Sequence, residues 1–175
     1  ITRKTENLPG FDFDNSVVHF NGEAEILTVP FVEGLVFGNE GTVPNDGDVS
    51  GNHGDRDMWA LKLDSNGTIE WQKALGGSGW EEGWAVQQTA DGGYILAGFA
   101  SSTDGDVTGY QGFFDYWVVK LSSSGELEWQ RTLGGTDLDI AYAVSQTSDG
   151  GYVVVGEDYS LDGDVKNGYG NGDYW

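Results

Sequence analysis

The chain repeats itself with a period of 58 residues. The tetrapeptide Asp-Gly-Asp-Val begins at Asp46, returns at Asp104 and begins again at Asp162. Residues 46–103 and 104–161 align without a gap and are identical at 28 of 58 positions, mostly at Gly, Asp, Trp and small polar residues. A repeat of this length is one supersecondary unit that buries its faces only against its neighbours. The identical residues indicate that backbone geometry is what is repeated.

The period divides the chain into four segments. Residues 46–103 and 104–161 are full repeats, residues 1–45 are predicted to be a degenerate N-terminal repeat or cap, and residues 162–175 begin a third repeat. Terminal repeats of an array commonly depart from the internal pattern. With about three repeat equivalents, we expect strand edges at both ends. The tail at 162–175 could complete a strand in another copy, which would give a ring or a filament.

Four strand-like runs separated by turn residues lie within each repeat. In the first repeat these runs are 58–63, 69–73, 84–89 and 94–98. The first run alternates, which places Trp59, Leu61 and Leu63 on one face. Gly67 ends a tight Asn-Gly turn, and Gly92 and Gly93 are predicted to fill positive-φ positions after Asp91.

These runs predict an all-β fold, a β-propeller-like array of four-stranded antiparallel blades with about three blade equivalents. Helices are excluded because glycine pairs interrupt the chain too often for a 3.6-residue apolar period to develop. A β-solenoid or a β-sandwich is the alternative. Solenoid rungs are usually shorter, however, and sandwiches do not repeat their sequence so closely.

Three motifs resemble the repeats of large secreted or surface-attached β-propeller-like proteins of bacteria and some archaea. They are WQKALGG at 71–77, QTADGGY at 88–94 and DGDVSGNHG at 46–54. The resemblance covers residues 46–175 well and 1–45 poorly, and it implies a secreted or cell-surface location without implying one function. Residues 60–71 are also similar to the turn-then-Trp motif of quinoprotein-type propellers, which implies a Trp that docks one blade on the next.

The charge of the chain excludes several partners. Eight basic and 29 acidic residues give a formal net charge of −21, which opposes binding to nucleic acid or to an anionic membrane because both require clustered Lys and Arg. The absence of cysteine excludes disulfides and thiolate metal sites. Acidic oxygens remain available for a hard cation such as calcium.

Three acidic loops have the ligand spacing of a calcium loop. The predicted ligands are Asp46, Asp48, Ser50, Asn52 and Asp57 in the first loop, Asp104, Asp106, Thr108 and Asp115 in the second, and Asp162, Asp164 and Asp173 in the third. A glycine at position 6 permits the sharp turn in the first two loops. Lys166 and Asn167 occupy positions 5 and 6 of the third loop, which is expected to bind calcium weakly or not at all. The alternative is that these Asp side chains cap their own backbone in Asx-turns without a metal.

Aromatic residues fall into a repeating and a non-repeating set. The repeating tryptophans are predicted to pack in the core; they are Trp59, Trp71, Trp117, Trp129 and Trp175. Trp80 and Trp84, whose equivalents are Leu138 and Tyr142, are candidates for glycan contact, as is Tyr110, which shares a non-repeating aromatic loop with Phe113 and Phe114.

Catalysis has little support in the sequence. Neither His19 nor His53 has a counterpart in the next repeat, and no nucleophile, base and acid are spaced as a catalytic set. The sequence therefore predicts a non-enzymatic, extracellular, calcium-stabilised structural or adhesive module, with other copies or further repeats as its partners. Two alternatives stay open: a carbohydrate-binding propeller, and a fragment of a larger secreted hydrolase.

Overall fold

A computed structural model describes residues 27–28, 35–39, 50–166 and 172–175. The strands are β1 (Leu27–Thr28), β2 (Leu35–Asn39), β3 (Met58–Leu63), β4 (Ile69–Leu75), β5 (Glu81–Gln88), β6 (Tyr94–Ala100), β7 (Asp115–Leu121), β8 (Leu127–Leu133), β9 (Asp139–Gln146), β10 (Tyr152–Asp158) and β11 (Asp173–Tyr174). The all-β prediction is confirmed, and the four runs of the first repeat correspond to β3, β4, β5 and β6. No helix among the described residues has the length and apolarity to span a bilayer.

The strands form three antiparallel sheets, each with its strands in chain order. The first sheet contains β1 to β4, the central sheet β5 to β8, and the third sheet β9 to β11. Each sequence repeat therefore contributes to two sheets, because β3 and β4 complete one sheet and β5 and β6 begin the next. The boundary at 103/104 falls in the β6–β7 loop, in the middle of the central sheet. Residues 173–174, in the predicted tail, pair with β10 of the same chain.

Successive sheets are joined by the same contacts. Strand β5 lies against β1, β2 and β3 of the first sheet, and β9 lies against β5, β6 and β7 of the central sheet. The Trp71 ring of β4 meets Tyr94 of the central sheet at 5.5 Å between ring centroids, and Trp129 of β8 meets Tyr152 of the third sheet at 5.6 Å. A tryptophan on the fourth strand thus docks its sheet on the following one.

The central sheet is buried on both of its faces. One apolar cluster joins it to the first sheet; it contains Met58, Ala60, Leu75, Val86, Tyr94, Leu96, Ala100, Val107, Trp117, Val119 and Leu121. A second cluster joins Ala97 and Tyr116 to Ala141 of the third sheet. Every residue of β6 and β7 is consequently buried, as expected for strands that are covered on both faces.

Turn geometry agrees with the sequence except at one glycine. Gly67 and Gly92 have φ values of +83° and +84°, as predicted. Gly93 has no positive φ. A Cβ on Gly93 would lie 2.4 Å from the carbonyl oxygen of Leu121 and 2.5 Å from the Lys120 Nζ. Glycine fits this position because there is no room for a larger side chain.

A β-bulge in β5 accompanies a close approach between the backbones of β5 and its neighbour β6 in the central sheet. The register shifts between Gly83 and Ala85, which leaves Trp84 as the extra residue. Opposite the bulge, a Cβ on Gly98 would lie 1.8 Å from the carbonyl oxygen of Glu82. The equivalent glycine of the third sheet, Gly156, is as close to the carbonyl of Ile140, at 1.9 Å.

We therefore expect Gly98→Ala to lower the free energy of unfolding by about 3 kcal/mol or more, because the new methyl group meets the rigid backbone of β5. Gly67→Ala is the matched control. Nothing lies within 4 Å of its Cβ position, so only the strain of a positive φ, about 1 kcal/mol, should be lost. Urea unfolding measures both values, and equal losses would contradict the close approach.

Candidate functional site

Two buried acidic side chains meet at the junction of the first and central sheets. Asp57 precedes β3 and Glu81 begins β5, and both are fully buried. The Asp57 Oδ1 and the Glu81 Oε2 lie 2.8 Å and 2.7 Å from the point where a Cβ on Gly76 would be. Asp57 and Glu81 are called the first acid pair.

The same arrangement recurs at the junction of the central and third sheets. Asp115 begins β7 and Asp139 begins β9, and both are fully buried. The Asp115 Oδ1 and the Asp139 Oδ2 lie 3.0 Å and 2.5 Å from the Cβ position of Gly134. Asp115 and Asp139 are called the second acid pair.

One member of each pair is fully hydrogen-bonded. The Glu81 Oε2 accepts from the Gly77 amide at 2.9 Å, and its Oε1 accepts from the amides of Ser101 and Ser102 at 3.2 Å and 3.0 Å. In the second pair, the Asp139 Oδ2 accepts from the Gly135 amide at 2.9 Å. These carboxylates fix the loops that lead from one sheet into the next.

The other member of each pair keeps one oxygen without a hydrogen bond. The Asp57 Oδ2 accepts from the backbone amide of His53 at 2.9 Å and lies 2.7 Å from its Nδ1, while the Asp57 Oδ1 has no partner among the described residues. The Asp115 Oδ2 accepts from the Gln111 amide at 2.6 Å, and the Asp115 Oδ1 likewise has none. A buried, unpaired carboxylate oxygen is costly, and its recurrence after 58 residues makes it a property of the repeat.

Burial governs the protonation of these groups. Removal from water raises the pKa of Asp57 and of Glu81 above their ordinary values, with nearby Asp106 adding to the effect on Asp57. For Asp115, burial together with the carboxylates of Asp139 and Asp164 raises the pKa to about 6. An uncharged form, or a bound cation, is favoured at this position.

The Asp-Gly-Asp-Val turns clamp the loop between two sheets. The Asp104 Oδ1 accepts from the Ser78 amide at 2.7 Å, which lowers the pKa of Asp104, and the Asp106 amide donates to the Gly76 carbonyl at 2.8 Å. In the next repeat, the Asp162 Oδ1 accepts from the Thr136 amide at 2.8 Å. These aspartates therefore cap the backbone of a neighbouring loop.

The remaining predicted ligands are spread over several places. Thr108 contacts β8, where its carbonyl accepts from the Thr132 hydroxyl at 2.9 Å. Ser50 is exposed, and Asn52 and Asp173 are partly buried. Asp46 and Asp48 lie outside the described residues, as do Asn167 and His19. The second loop is thus divided between the two junctions, with Asp104 and Asp106 near the first acid pair and Asp115 in the second.

Among the described residues, no three His, Cys, Asp or Glu side chains are arranged to hold one metal ion. Each junction instead contains a pair of carboxylates, and a third carboxylate lies close enough to raise the pKa of one member of the pair. That third group is Asp106 at the first pair and Asp164 at the second.

Sequence reasoning missed Glu81, Asp139 and Asp158. Asp158 is almost fully buried, and its Oδ1 has no hydrogen-bond partner in the part of the chain that the structure describes. It pairs in register with Asp139 on one side and Asp173 on the other. A signal was present for the first two, since an acid follows the Gly-Gly pair by four residues in both repeats. Asp158 replaces Ala100, so the repeat gave no sign of it.

The two non-repeating aromatic loops come together into one patch. The Trp80 ring meets Phe99 at 6.0 Å and Phe114 at 5.6 Å, and Phe113 meets Phe114 at 4.6 Å. Phe113 is 62% exposed and Trp80 is 37% exposed. The Arg56 guanidinium covers one face of Trp80 at 4.3 Å from the ring centroid, so only the rest of that ring can meet a ligand.

The other two candidates for glycan contact, Trp84 and Tyr110, are partly buried. Trp84 is the bulge residue of β5, and its ring meets Tyr142, its equivalent in the third sheet, at 5.8 Å. The Tyr110 hydroxyl donates to the Phe113 carbonyl at 3.1 Å and supports the loop that carries Phe113.

In comparisons with known proteins, no protein-family model and no curated protein sequence matches the chain.

The raised pKa of Asp115 predicts how stability changes with pH. Because the folded chain binds this proton more tightly than the unfolded chain, whose ordinary pKa is 3.8, the contribution is fully present below about pH 4 and is lost as pH rises through 6. In chelator, lowering the pH from 7 to 5 should raise the free energy of unfolding by about 1.4 kcal/mol for this group, because pH 5 lies one unit below the folded pKa.

In chelator, Asp115→Asn should weaken the dependence of stability on pH and raise the melting temperature at pH 7, because a neutral amide replaces a buried charge. Asp55→Asn, at an exposed position, is the control and should follow the parent chain. Thermal unfolding from pH 5 to 7 tests the expectation, and an unchanged slope in Asp115→Asn would refute it.

Proposed function

We propose that the chain is a non-enzymatic structural or adhesive module of an extracellular, cell-surface repeat protein of bacterial type, a β-propeller-like array that binds further copies of its repeat. The observation that carries this proposal is that the features repeated after 58 residues join one sheet to the next. They are the Trp71–Tyr94 and Trp129–Tyr152 contacts, the two acid pairs and the Asp-Gly-Asp-Val clamps. In a protein whose repeats stack on one another, the repeated residues are expected at the contacts between neighbouring units.

Calcium is the second part of the proposal, at a position different from the one predicted by loop spacing. A cation at each acid pair would neutralise the unpaired Oδ1 of Asp57 or Asp115 and the opposing carboxylate. Two carboxylate groups with carbonyl and water oxygens suit a hard cation such as Ca²⁺. The support is the unsatisfied buried oxygen at both junctions.

Calcium should accordingly raise the stability of the folded chain, by about 2.7 kcal/mol for each site at a hundredfold excess over the dissociation constant. Isothermal calorimetry should give two sites, and Asp115→Asn should leave one. Adding Asp57→Asn should leave none. No heat of binding together with an unchanged melting temperature in chelator would refute the calcium proposal while leaving the stacking proposal intact.

Adhesion between copies can be measured with coated beads. Beads that carry the folded chain should cluster, since the proposed partner is another copy of the repeat, and beads that carry heat-unfolded chain should not. Clustering equal in both preparations would count against the structural or adhesive role.

Carbohydrate binding is a second candidate function, favoured by the exposed aromatic patch around Phe113 and Trp80. Aromatic rings supply flat apolar surface for stacking, and the nearby Arg56 and Glu82, which form an ion pair at 2.8 Å, offer hydrogen bonds. On a glycan array, Phe113→Ala should lose any signal that the parent chain gives. Tyr174→Ala, at an exposed aromatic residue outside the patch, should keep that signal. A parent chain that binds no glycan would contradict this candidate.

A further inference from the structure

The side of the third sheet that faces away from the central sheet is apolar and exposed. Val153 and Val155 of β10 lie on this side, and Tyr174 of β11 pairs in register with Glu157 on the same side. Their exposed fractions are 52%, 47% and 85%. The opposite side, with Val154 and Trp175, packs on the central sheet. Val153, Val155 and Tyr174 are called the outer face.

The sequence of β10 is that of a strand buried on both sides. Val153, Val154 and Val155 form an unbroken apolar run, whereas a strand with one side in water alternates. The residues 58 positions earlier than the outer face are Ile95, Ala97 and Tyr116, with exposed fractions of 0%, 0% and 2%. The same positions of the repeat are therefore covered in one sheet and open in the other.

What covers these positions in the central sheet is another sheet. Ala141 and Val144 of β9 pack on Ala97 and Tyr116. Hydrogen bonds fix the contact, because the Gln146 amide donates to the Gln87 Oε1 at 2.6 Å and the Ala90 amide donates to the Gln146 Oε1 at 2.8 Å. This side of a sheet is thus a surface built for face-to-face packing of β-sheets.

We propose that the outer face is a self-association surface on which a second copy of this chain docks its own third sheet. The inference rests on the proposed function, which takes another copy of the repeat as the partner, and it identifies the surface. Six of the nine exposed large apolar side chains in the described part of the chain belong to the third sheet or its loop; they are Tyr142, Val153, Val155, Tyr159, Leu161 and Tyr174. The matching apolar surface that a second copy offers is therefore the same face, which gives a two-fold dimer.

The charge of the chain predicts how this dimer responds to salt. Two chains that each carry a formal charge of −21 repel one another, and salt screens this repulsion while leaving apolar contact in place. Glu157, the acid beside the outer face, is hydrogen-bonded to the Tyr142 hydroxyl at 3.2 Å. Dimerisation should strengthen as salt is added, opposite to an association held by ion pairs.

Sedimentation velocity across a concentration series at low and high salt tests the proposal with the full chain in chelator. The parent chain should form a dimer. Val153→Thr with Val155→Thr keeps the branched shape that strands favour and removes apolar surface, so it should raise the dimer dissociation constant at least about tenfold. Phe113→Ser removes an exposed apolar side chain away from the outer face and should leave the dissociation constant unchanged.

Thermal unfolding of the double variant checks that it folds, and Tyr174→Ser is the second variant if it does not. A parent chain that stays monomeric at high salt would overturn the dimer and with it the homotypic part of the proposed function. If the parent chain dimerises and the valine and tyrosine variants dimerise equally well, the assignment of the interface to the outer face would be overturned, but self-association would stand. Dimerisation lost in the Phe113→Ser control would place the interface at the aromatic patch instead.

Discussion

Face-to-face packing of one sheet on the next is the interaction on which the rest of this structure depends. The apolar side chains of β6 and β7 point to both sides, so they are satisfied only when a sheet lies on each side. The docking tryptophans and the Asp-Gly-Asp-Val clamps add specific contacts at the same junctions. Stability in such an array comes from interfaces between neighbours as much as from the units themselves.

The strands and their tight turns could be predicted from the sequence, because apolar periodicity and glycine position are local signals. The division of strands among sheets could not. The short loop at 76–80 resembles a hairpin connection, yet it carries the chain from the first sheet to the central one, while the longer loop at 101–114 connects two paired strands. Only the packed fold, in which Glu81 fixes both loops through backbone amides, decides between these routes.

The acidic residues show the same limit. Spacing along one loop grouped Asp104 and Asp106 with Asp115, since it assumed that a site is built from consecutive residues. In the fold, Asp115 faces Asp139, whereas Asp106 lies near Asp57. Both acid pairs join residues from different sheets, and the sequence could not show that Gly76 and Gly134 leave room for two carboxylates to approach each other.

The two-plus-two division of strands has a consequence for how an array of this kind changes length. The repeat at 46–103 contains four strands, of which the first two complete an existing sheet and the last two open a new one. Genetic duplication of such a repeat therefore adds one whole sheet, and loss of one removes a whole sheet. Unequal recombination can lengthen or shorten the array without leaving a half-built layer inside it.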